Sequence, residues 1–416
     1  MRMDDHARMA GGRKTFLGKR ATLIRALCLL RALTASHVLV EEGAVSLRVP
    51  SRGKARGPAA PTRAPFYSEA ATLTRDLSVA FVASLRRPDL RALDGLCGSG
   101  VRAIRWWVEA GLRNVAACDK NPRSVELARE NASAAGADVH VERADLRAYL
   151  SQTLWEHVEI DPFGSPAPFA DAAIPALKLR STLALTATDG AALAGQSPAA
   201  CRRKYGARSL RCDIRHELGL RILAGFGIVT AARHERAARP VLAHVADHYY
   251  RVYFELAPGA RRADALLDRL RLAWVCGECG RRGWCDEHSS QPVGHPSDCR
   301  GAPGLAGPLY AGPLTDPACA RAMLEALPTL PWQPDRANRA RTLLGTVAEE
   351  ASVDALPVAL STLARLHGGG PPKPAELLAA LRGEGHEAVR AHAGDVLVKT
   401  DAPWDDLLRA VRRTAP

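Results

Sequence analysis

Three groups of residues in this 416-residue chain have the types and spacing for chemistry. The first is Asp94-Gly-Leu-Cys-Gly-Ser-Gly100, an acid followed by a glycine loop. Glycines let the backbone turn tightly and approach a ligand with no Cβ in the way, which makes Gly98 and Gly100 cofactor-contact candidates. Gly98-Ser-Gly100-Val-Arg-Ala103 also satisfies the loose dinucleotide pattern G-x-G-x-x-A, with Asp119 at a suitable distance beyond it, so NAD is admitted. A carboxylate there suits any ribose, however. S-adenosylmethionine has a ribose and an adenine but no phosphate, and Asp94 suits its cationic sulfonium and amino-acid head.

The second group, Asp161-Pro162-Phe163-Gly-Ser-Pro166, separates these ligands. The amine of a base is a poor nucleophile because its lone pair is delocalised into the ring. The Asp161 carboxylate, or the carbonyl of Pro162, can accept from the N–H and localise that lone pair toward a methyl donor. Phe163 can stack on the base, worth ~1–3 kcal/mol by analogy with single-strand binding proteins, and proline fixes the turn. A base in folded RNA must be splayed or flipped out to reach such a pocket. The third group is Cys276-Gly-Glu-Cys279, followed by Cys285, His288, His295 and Cys299. Zinc takes four N/S ligands in a tetrahedron, commonly as two short-spaced pairs.

The elements that must position these groups alternate. Strands are expected at Arg91–Asp94, Val115–Asp119, Val139–Val141, Val158–Asp161 and Leu183–Thr188, with helices at Val101–Ala110 and Arg123–Ala134. Such alternation implies a parallel, doubly wound α/β sheet with its ligand beyond the carboxyl ends of the strands. Asp94, Asp119, Asp145 and Asp161 all fall on that rim. From about residue 260 the pattern changes to a cysteine cluster and a Gly/Pro-rich passage, Gly301–Pro317. A helical stretch from Cys319 to Leu366 follows, then a small α+β tail: helix Ala375–Glu384, strands Ala388–Ala391 and Val396–Lys399, helix Trp404–Arg412.

The chain carries 57 Lys+Arg against 44 Asp+Glu, a formal net charge of +13, which favours a polyanionic partner. The charge is uneven. Residues 1–65 hold 13 Lys+Arg and 4 Asp+Glu, and their +9 leaves +4 for the rest. This stretch reads as a basic arm or loop around a short helix at Thr22–Leu33, with the basic run Ser51–Arg56 near its end. Hydrophobic content of 47% excludes wholesale disorder. The longest apolar stretch, Ala21–Val40, is interrupted by Arg25 and Arg31, so no membrane span is expected. No secretory signal is evident, and ten cysteines, several of them clustered, suit metal binding in a reducing cytoplasm better than a disulfide scaffold.

The segment Asp161–Ala170, with Thr186–Asp189, Ala192–Gly195, Arg202–Gly206, His216-Glu217, Asp247–Tyr249 followed by Arg251-Val252, and Val398–Pro403, resembles the tRNA (guanine-N2)-dimethyltransferase family. The matches keep their order from about Glu42 to the C-terminus. The resemblance implies a class I Rossmann-like methyltransferase domain over residues 41–258, after a basic extension at 1–40. A C-terminal tRNA-binding α+β domain over 259–416 would contain the cysteine cluster 276–299 as a candidate zinc knuckle. It implies direct transfer of methyl groups from S-adenosylmethionine to the N2 amine of guanine, typically at position 26 of tRNA. Arg75, within the element Phe66-Tyr67…Thr74-Arg75-Asp76, and Arg102 would contact the cofactor. Asp119 would hold the ribose, Asp145 and Leu146 would flank the adenine, and Asp161 would be the catalytic acid. Ser68-Glu69 stands where the family has Asn-Pro, and Thr74 where it has Asn.

The resemblance also implies a second CxxC near Cys299, but position 296 is Pro, so the expected metal set is Cys276, Cys279 and Cys299 with Cys285 or His295. The arginines from Arg202 to Arg215 are candidate phosphate contacts. No obligate protein partner is expected. The rivals are a DNA or rRNA amino-methyltransferase, an NAD-dependent oxidoreductase, and a non-catalytic zinc-containing RNA-binding protein.

Overall fold

The computed structural model describes residues 37–51, 65, 67–285, 292–394 and 396–415. The helix expected at Thr22–Leu33, nearly all of the basic extension, residues 52–56 of the basic run, Phe66 and His288 lie outside the described residues. The description opens on an antiparallel hairpin, β1 (His37–Glu42) and β2 (Val45–Pro50). Alternation in β2 turns Val45, Leu47 and Val49 inward, where they share a core with Val101, Ile104 and Ala132.

The main sheet contains β3 (Arg91–Gly95), β4 (Asn114–Asp119), β5 (Val139–Arg143), β6 (Trp155–Ile160), β7 (Leu177–Ala187), β8 (Arg236–Ala246) and β9 (Tyr249–Pro258), in the order β5-β4-β3-β6-β7-β9-β8. Strands β3 to β7 pair in parallel. One expectation is corrected here: the sheet is not wholly parallel. β9 runs antiparallel to both of its neighbours. Its connection from β8 is the two-residue turn Asp247-His248, with Asp247 at φ +53°, and so short a link permits only an antiparallel hairpin. β9 inserts between β7 and β8, and Tyr250 pairs with Ala187, so the start of β9 lies on the rim where the parallel strands end. The strand order switches direction between β3 and β6, which opens the crevice where open α/β sheets bind ligands.

Strands β10 (Leu270–Val275), β11 (Arg282–Cys285) and β12 (Gly304–Tyr310) form a separate sheet in the order β11-β10-β12. The helical stretch expected from Cys319 to Leu366 is three helices, Pro317–Ala326, Pro334–Glu350 and Leu360–His367, with β13 (Val358–Ala359) before the last. Pro328, Pro331 and Pro357 explain the breaks, since proline removes a helix donor and clashes with the preceding turn. The tail adds helix Pro374–Gly383, β14 (Ala388–Ala391), β15 (Leu397–Thr400) and helix Trp404–Thr414 around a core containing Leu363, Leu377, Val398 and Leu407. The two parts of the chain share their interior. Leu309, Tyr310 and Leu397 belong to the cluster that contains Leu185 and Leu223, and Met323 and Leu344 pack with Phe81 and Trp106. Among the described residues no helix is long and apolar enough to cross a membrane.

Candidate functional site

The glycine loop closes β3 and opens helix Val101–Val108. Gly98 and Gly100 have φ +55° and +78°, and a Cβ on Gly100 would stand 2.9 Å from that of Ala128, so the turn requires glycine there. At the end of β4, Asp119 accepts from the backbone N–H of Gly98 (3.1 Å) and of Asn121 (2.8 Å). It thereby ties the glycine loop to the neighbouring strand. Burial pushes the Asp119 carboxyl up, against these hydrogen bonds and Lys120. After β5, Asp145 caps helix Leu146–Leu150 by accepting from the N–H of Arg147. The paired Arg147 side chain holds its exposed carboxyl down at about 2. Leu146 is buried against Gly95.

Arg102 joins the first and fourth strands. Its Nη1 donates to Asp94 at 2.9 Å, its Nη2 to Asp161, and its Nε lies 2.8 Å from Glu159 as an ion pair rather than an aligned hydrogen bond. Burial raises the Asp94 carboxyl against the pull of Arg102, and the neighbouring Glu159 and Asp161 carboxylates add to the rise. Asp94 Oδ2 and Ser99 Oγ are buried without a hydrogen-bond partner among the described residues. An acceptor left unpaired in a closed interior is costly, and a donor from a bound ligand would relieve it.

Glu159 is the group that reading the sequence missed. It is fully buried and meets Ser78 Oγ at 2.6 Å, His157 Nε2 at 3.3 Å, Arg102, and Arg251 of β9. Burial would favour its neutral form, but Arg251, Arg102 and His157 outweigh that and hold the carboxyl well below its usual range. A carboxylate between Val158 and Ile160 in a central parallel strand was the available signal, because a buried charge there demands a buried cation. Glu159 and Asp161 are two residues apart, so they share a face of the strand and can both reach Arg102. Asp161 is part-exposed, Pro162 is buried, and the Phe163 ring is exposed on the rim. The turn is closed by Thr188, whose Oγ1 accepts from Gly164 N at 2.7 Å and whose N–H donates to Gly164 O at 2.8 Å.

Arg75 lies in a second buried group. It donates to both oxygens of Glu42 on β1, to Oε1 at 2.7 Å, and to the carbonyl of Ser68 at 2.9 Å. Tyr67 donates to Glu42 at 2.7 Å, and Tyr249 Oη lies 3.3 Å from Ser68 Oγ. Burial raises Glu42, but Arg75, Arg105 and Tyr67 bring it to about 2. Ser68, at the position that departs from the family pattern, therefore links Arg75 to the rim hairpin through Tyr249.

Away from the rim, Cys276, Cys279, His295 and Cys299 place one ligand atom each within 4.8 Å of one another. The group includes His295 and not Cys285, which ends β11. The Sγ atoms of Cys276 and Cys299 are 3.8 Å apart. Zinc–sulfur bonds of about 2.3 Å in a tetrahedron make edges of about that length. His295 Nε2 is buried with no hydrogen-bond partner among the described residues. Burial raises the Cys276 thiol, yet the backbone N–H of Cys279 and the His295 side chain bring it to about 6, toward the thiolate a metal needs. The donor set and spacing fit zinc.

A doubly wound sheet whose rim carries a glycine loop, an acid after the second strand and an acid-Pro-aromatic turn after the fourth is that of a class I Rossmann-like methyltransferase. The family described as N2,N2-dimethylguanosine tRNA methyltransferase matches residues 43–412, and the chain belongs to that family. A tRNA (guanine(26)-N(2))-dimethyltransferase of Aeropyrum pernix is 36% identical over 372 residues, covering 83% of this chain and 88% of the relative. The enzyme of that name from Natronomonas pharaonis is 35% identical over 380 residues, covering 89% and 99%. The solved structure of Trm1 from Pyrococcus horikoshii with S-adenosyl-L-methionine superposes with a TM-score of 0.78 at 28% identity, covering 90% of this chain and 99% of that one. With the family shown, the dinucleotide pattern at Gly98–Ala103 is no ground for an NAD-dependent oxidoreductase.

Proposed function

We propose that this chain transfers methyl groups from S-adenosylmethionine to the exocyclic N2 of guanine in tRNA and dimethylates position 26. One observation carries the site assignment: Arg102 ties Asp94, beside the glycine loop, to Asp161, at the end of the fourth strand. The cofactor loop and the acceptor of the amine proton are thereby held in one rigid group. Gly98 and Gly100 would admit the cofactor backbone closely, Asp94 would face its amino-acid head, and Asp119 its ribose. Asp145 and Leu146 would flank the adenine, and Arg75 would set the near wall through Glu42 and Ser68. When bound, S-adenosylmethionine supplies the electrophilic methyl group. Asp161, with the Pro162 carbonyl, accepts from the N2 amine and orients its lone pair, and the exposed Phe163 ring supports the splayed base. No covalent enzyme intermediate is required.

Cys276, Cys279, His295 and Cys299 would bind zinc and brace the small sheet of β10 to β12. Residues 259–416 would grip the tRNA body while residues 41–258 carry the transfer. A reducing cytoplasm suits these thiols. Labelled S-adenosylmethionine with tRNA transcripts, followed by nucleoside analysis, tests the reading, and absence of N2-methylated guanosine rejects it. Metal analysis of purified protein with Cys276→Ser as control tests the zinc site: zinc in the wild type that is lost in the variant is expected.

A further inference from the structure

We infer that the cleft between Gln196, Arg211 and Arg215 seats a phosphodiester of the RNA backbone, next to the turn that presents Asp161. This rests on the tRNA reading above. Residues 190–216 contain six cations, Arg202, Arg203, Lys204, Arg208, Arg211 and Arg215, against the single acid Asp213. Two of these seven charges are already used within the protein. Lys204 pairs with Asp189 at 2.8 Å, and Asp213 is held by Arg282 at 3.0 Å and by Thr362 at 2.7 Å. The five arginines have no carboxylate partner among the described residues, and all but the half-buried Arg215 are exposed.

Arg211 and Arg215 converge on an open cleft of about 450 Å³, lined also by Gln196, Cys212 and Asp213. Asp213 reaches its wall, but Arg282 already neutralises that carboxylate. Among the described residues the lining has no aromatic side chain, so only the two guanidinium planes could stack on a base, and the polar lining favours a phosphate. Guanidinium forks with an amide beside them match the oxygens of a phosphate.

The cleft is held in place. Gly195 has φ +82°, and a Cβ there would stand 2.2 Å from the backbone nitrogen of Arg211, so the two segments touch backbone to backbone. Arg208 exchanges hydrogen bonds with Gly307 of β12, at 2.9 and 2.8 Å, and Leu210 covers Gly304. The arginine loop is therefore pinned where the main sheet meets the small sheet. Tyr205, at the end of helix Pro198–Tyr205, which carries Arg202, Arg203 and Lys204, donates to Asp189 at 2.6 Å and contacts Ser165 of the turn after Asp161. A backbone phosphate in the cleft would thus be registered against the base at Asp161.

The test is filter binding of a tRNA transcript across a salt series, with the exposed-site variant Arg211→Ala, the double variant Arg211→Ala/Arg215→Ala, and Arg211→Lys. Each lost contact should lower the slope of log affinity against log salt by about 0.7–0.9, or weaken binding about five- to eightfold at 0.1 M salt. Arg211→Lys should keep the slope and lose part of the affinity. S-adenosylmethionine affinity should stay within about twofold of wild type. Wild-type slope and affinity in both alanine variants would overturn the proposal, as would a turnover loss with unchanged affinity. If the wild type forms no N2-methylated guanosine, the functional reading fails, while the same salt series still decides whether the cleft binds RNA.

Discussion

Two buried charge clusters in this molecule use the same ingredients to different ends. Under the rim, Glu159 gathers Arg102, Arg251, Ser78 and His157, and the cluster runs outward to the part-exposed Asp161. At the seam with the C-terminal part, Lys399 of β15 sits 3.1 Å from both Glu217 and Glu350. Arg221 joins Glu217 at 2.9 Å, and His392 joins Glu350 at 2.7 Å. The seam cluster closes on itself, and Arg221 and His392 extend it to the Gly312 carbonyl and the Val245 N–H. A buried charge network with an open end can present a group to a substrate. One whose charges pair among themselves holds elements together, and the elements held here are separated by up to 182 positions, from residue 217 to residue 399.

The sharpest way to break this contrast is Asp161→Ala. It should lower single-turnover methyl transfer by about 10²–10⁴-fold, the usual worth of a positioned acid or base, and leave S-adenosylmethionine binding and thermal stability near wild type. Retained transfer would remove Asp161 from the chemistry. Lys399→Met should do the reverse. It removes the one cation that Glu217 and Glu350 share, and denaturant unfolding should show a loss of about 3–5 kcal/mol. The folded fraction should keep its turnover number, and an activity loss in that fraction would merge the two clusters into one functional unit.

Glu159→Gln sharpens the comparison, because Glu159 lies under the site without reaching the surface. Without the Glu159 carboxylate to anchor its Nε, Arg102 should hold Asp161 in a less defined position, and the turnover number should fall about tenfold or more while tRNA affinity is kept. Glu159→Asp should recover part of the loss, whereas an effect on stability alone would make the residue structural.

The smallest effect is in the pH dependence of stability. Burial raises the Glu217 carboxyl, but Lys399, Arg221 and His392 outweigh it and hold it at about 2, and Glu42 stands at about 2 beside Arg75 and Arg105. Carboxyls depressed from 4.5 stabilise the fold fully above that value, and the stabilisation is lost as the pH falls toward 2. These two carboxyls therefore add no slope between pH 7 and 5, and they lower the urea midpoint as the pH falls below about 4.5. The decline should be shallower in Lys399→Met.

Much of the candidate site on the rim was legible because its residues are local. Asp94, Asp119 and Asp161 end strands whose apolar runs mark them, and the glycine loop and D-P-F turn are contiguous in the chain. The supporting groups were not legible, since their partners come from far away. Glu42 meets Arg75 and Arg105, which are 33 and 63 positions off, and Ser78 meets Glu159 across 81. The antiparallel insertion of β9 was missed although the short turn at Asp247-His248 required a hairpin, because the position of a hairpin within a sheet is not written in the turn.

The cysteine cluster shows the same division. The knuckle at Cys276 and Cys279 is visible as a motif, while Cys285 and His295 were equal candidates for completing it until the loop geometry chose His295. By itself, the sequence determined the alternating elements, the acids at the strand ends, the family and the kind of chemistry, because periodicity, turn residues and contiguous motifs act over a few neighbours. Only the tertiary structure decided which charges meet in the interior, which carboxylate reaches the surface and where the unpaired arginines converge. Those outcomes depend on contacts between segments tens to hundreds of residues apart, and the energy of a buried charge is set by what surrounds it.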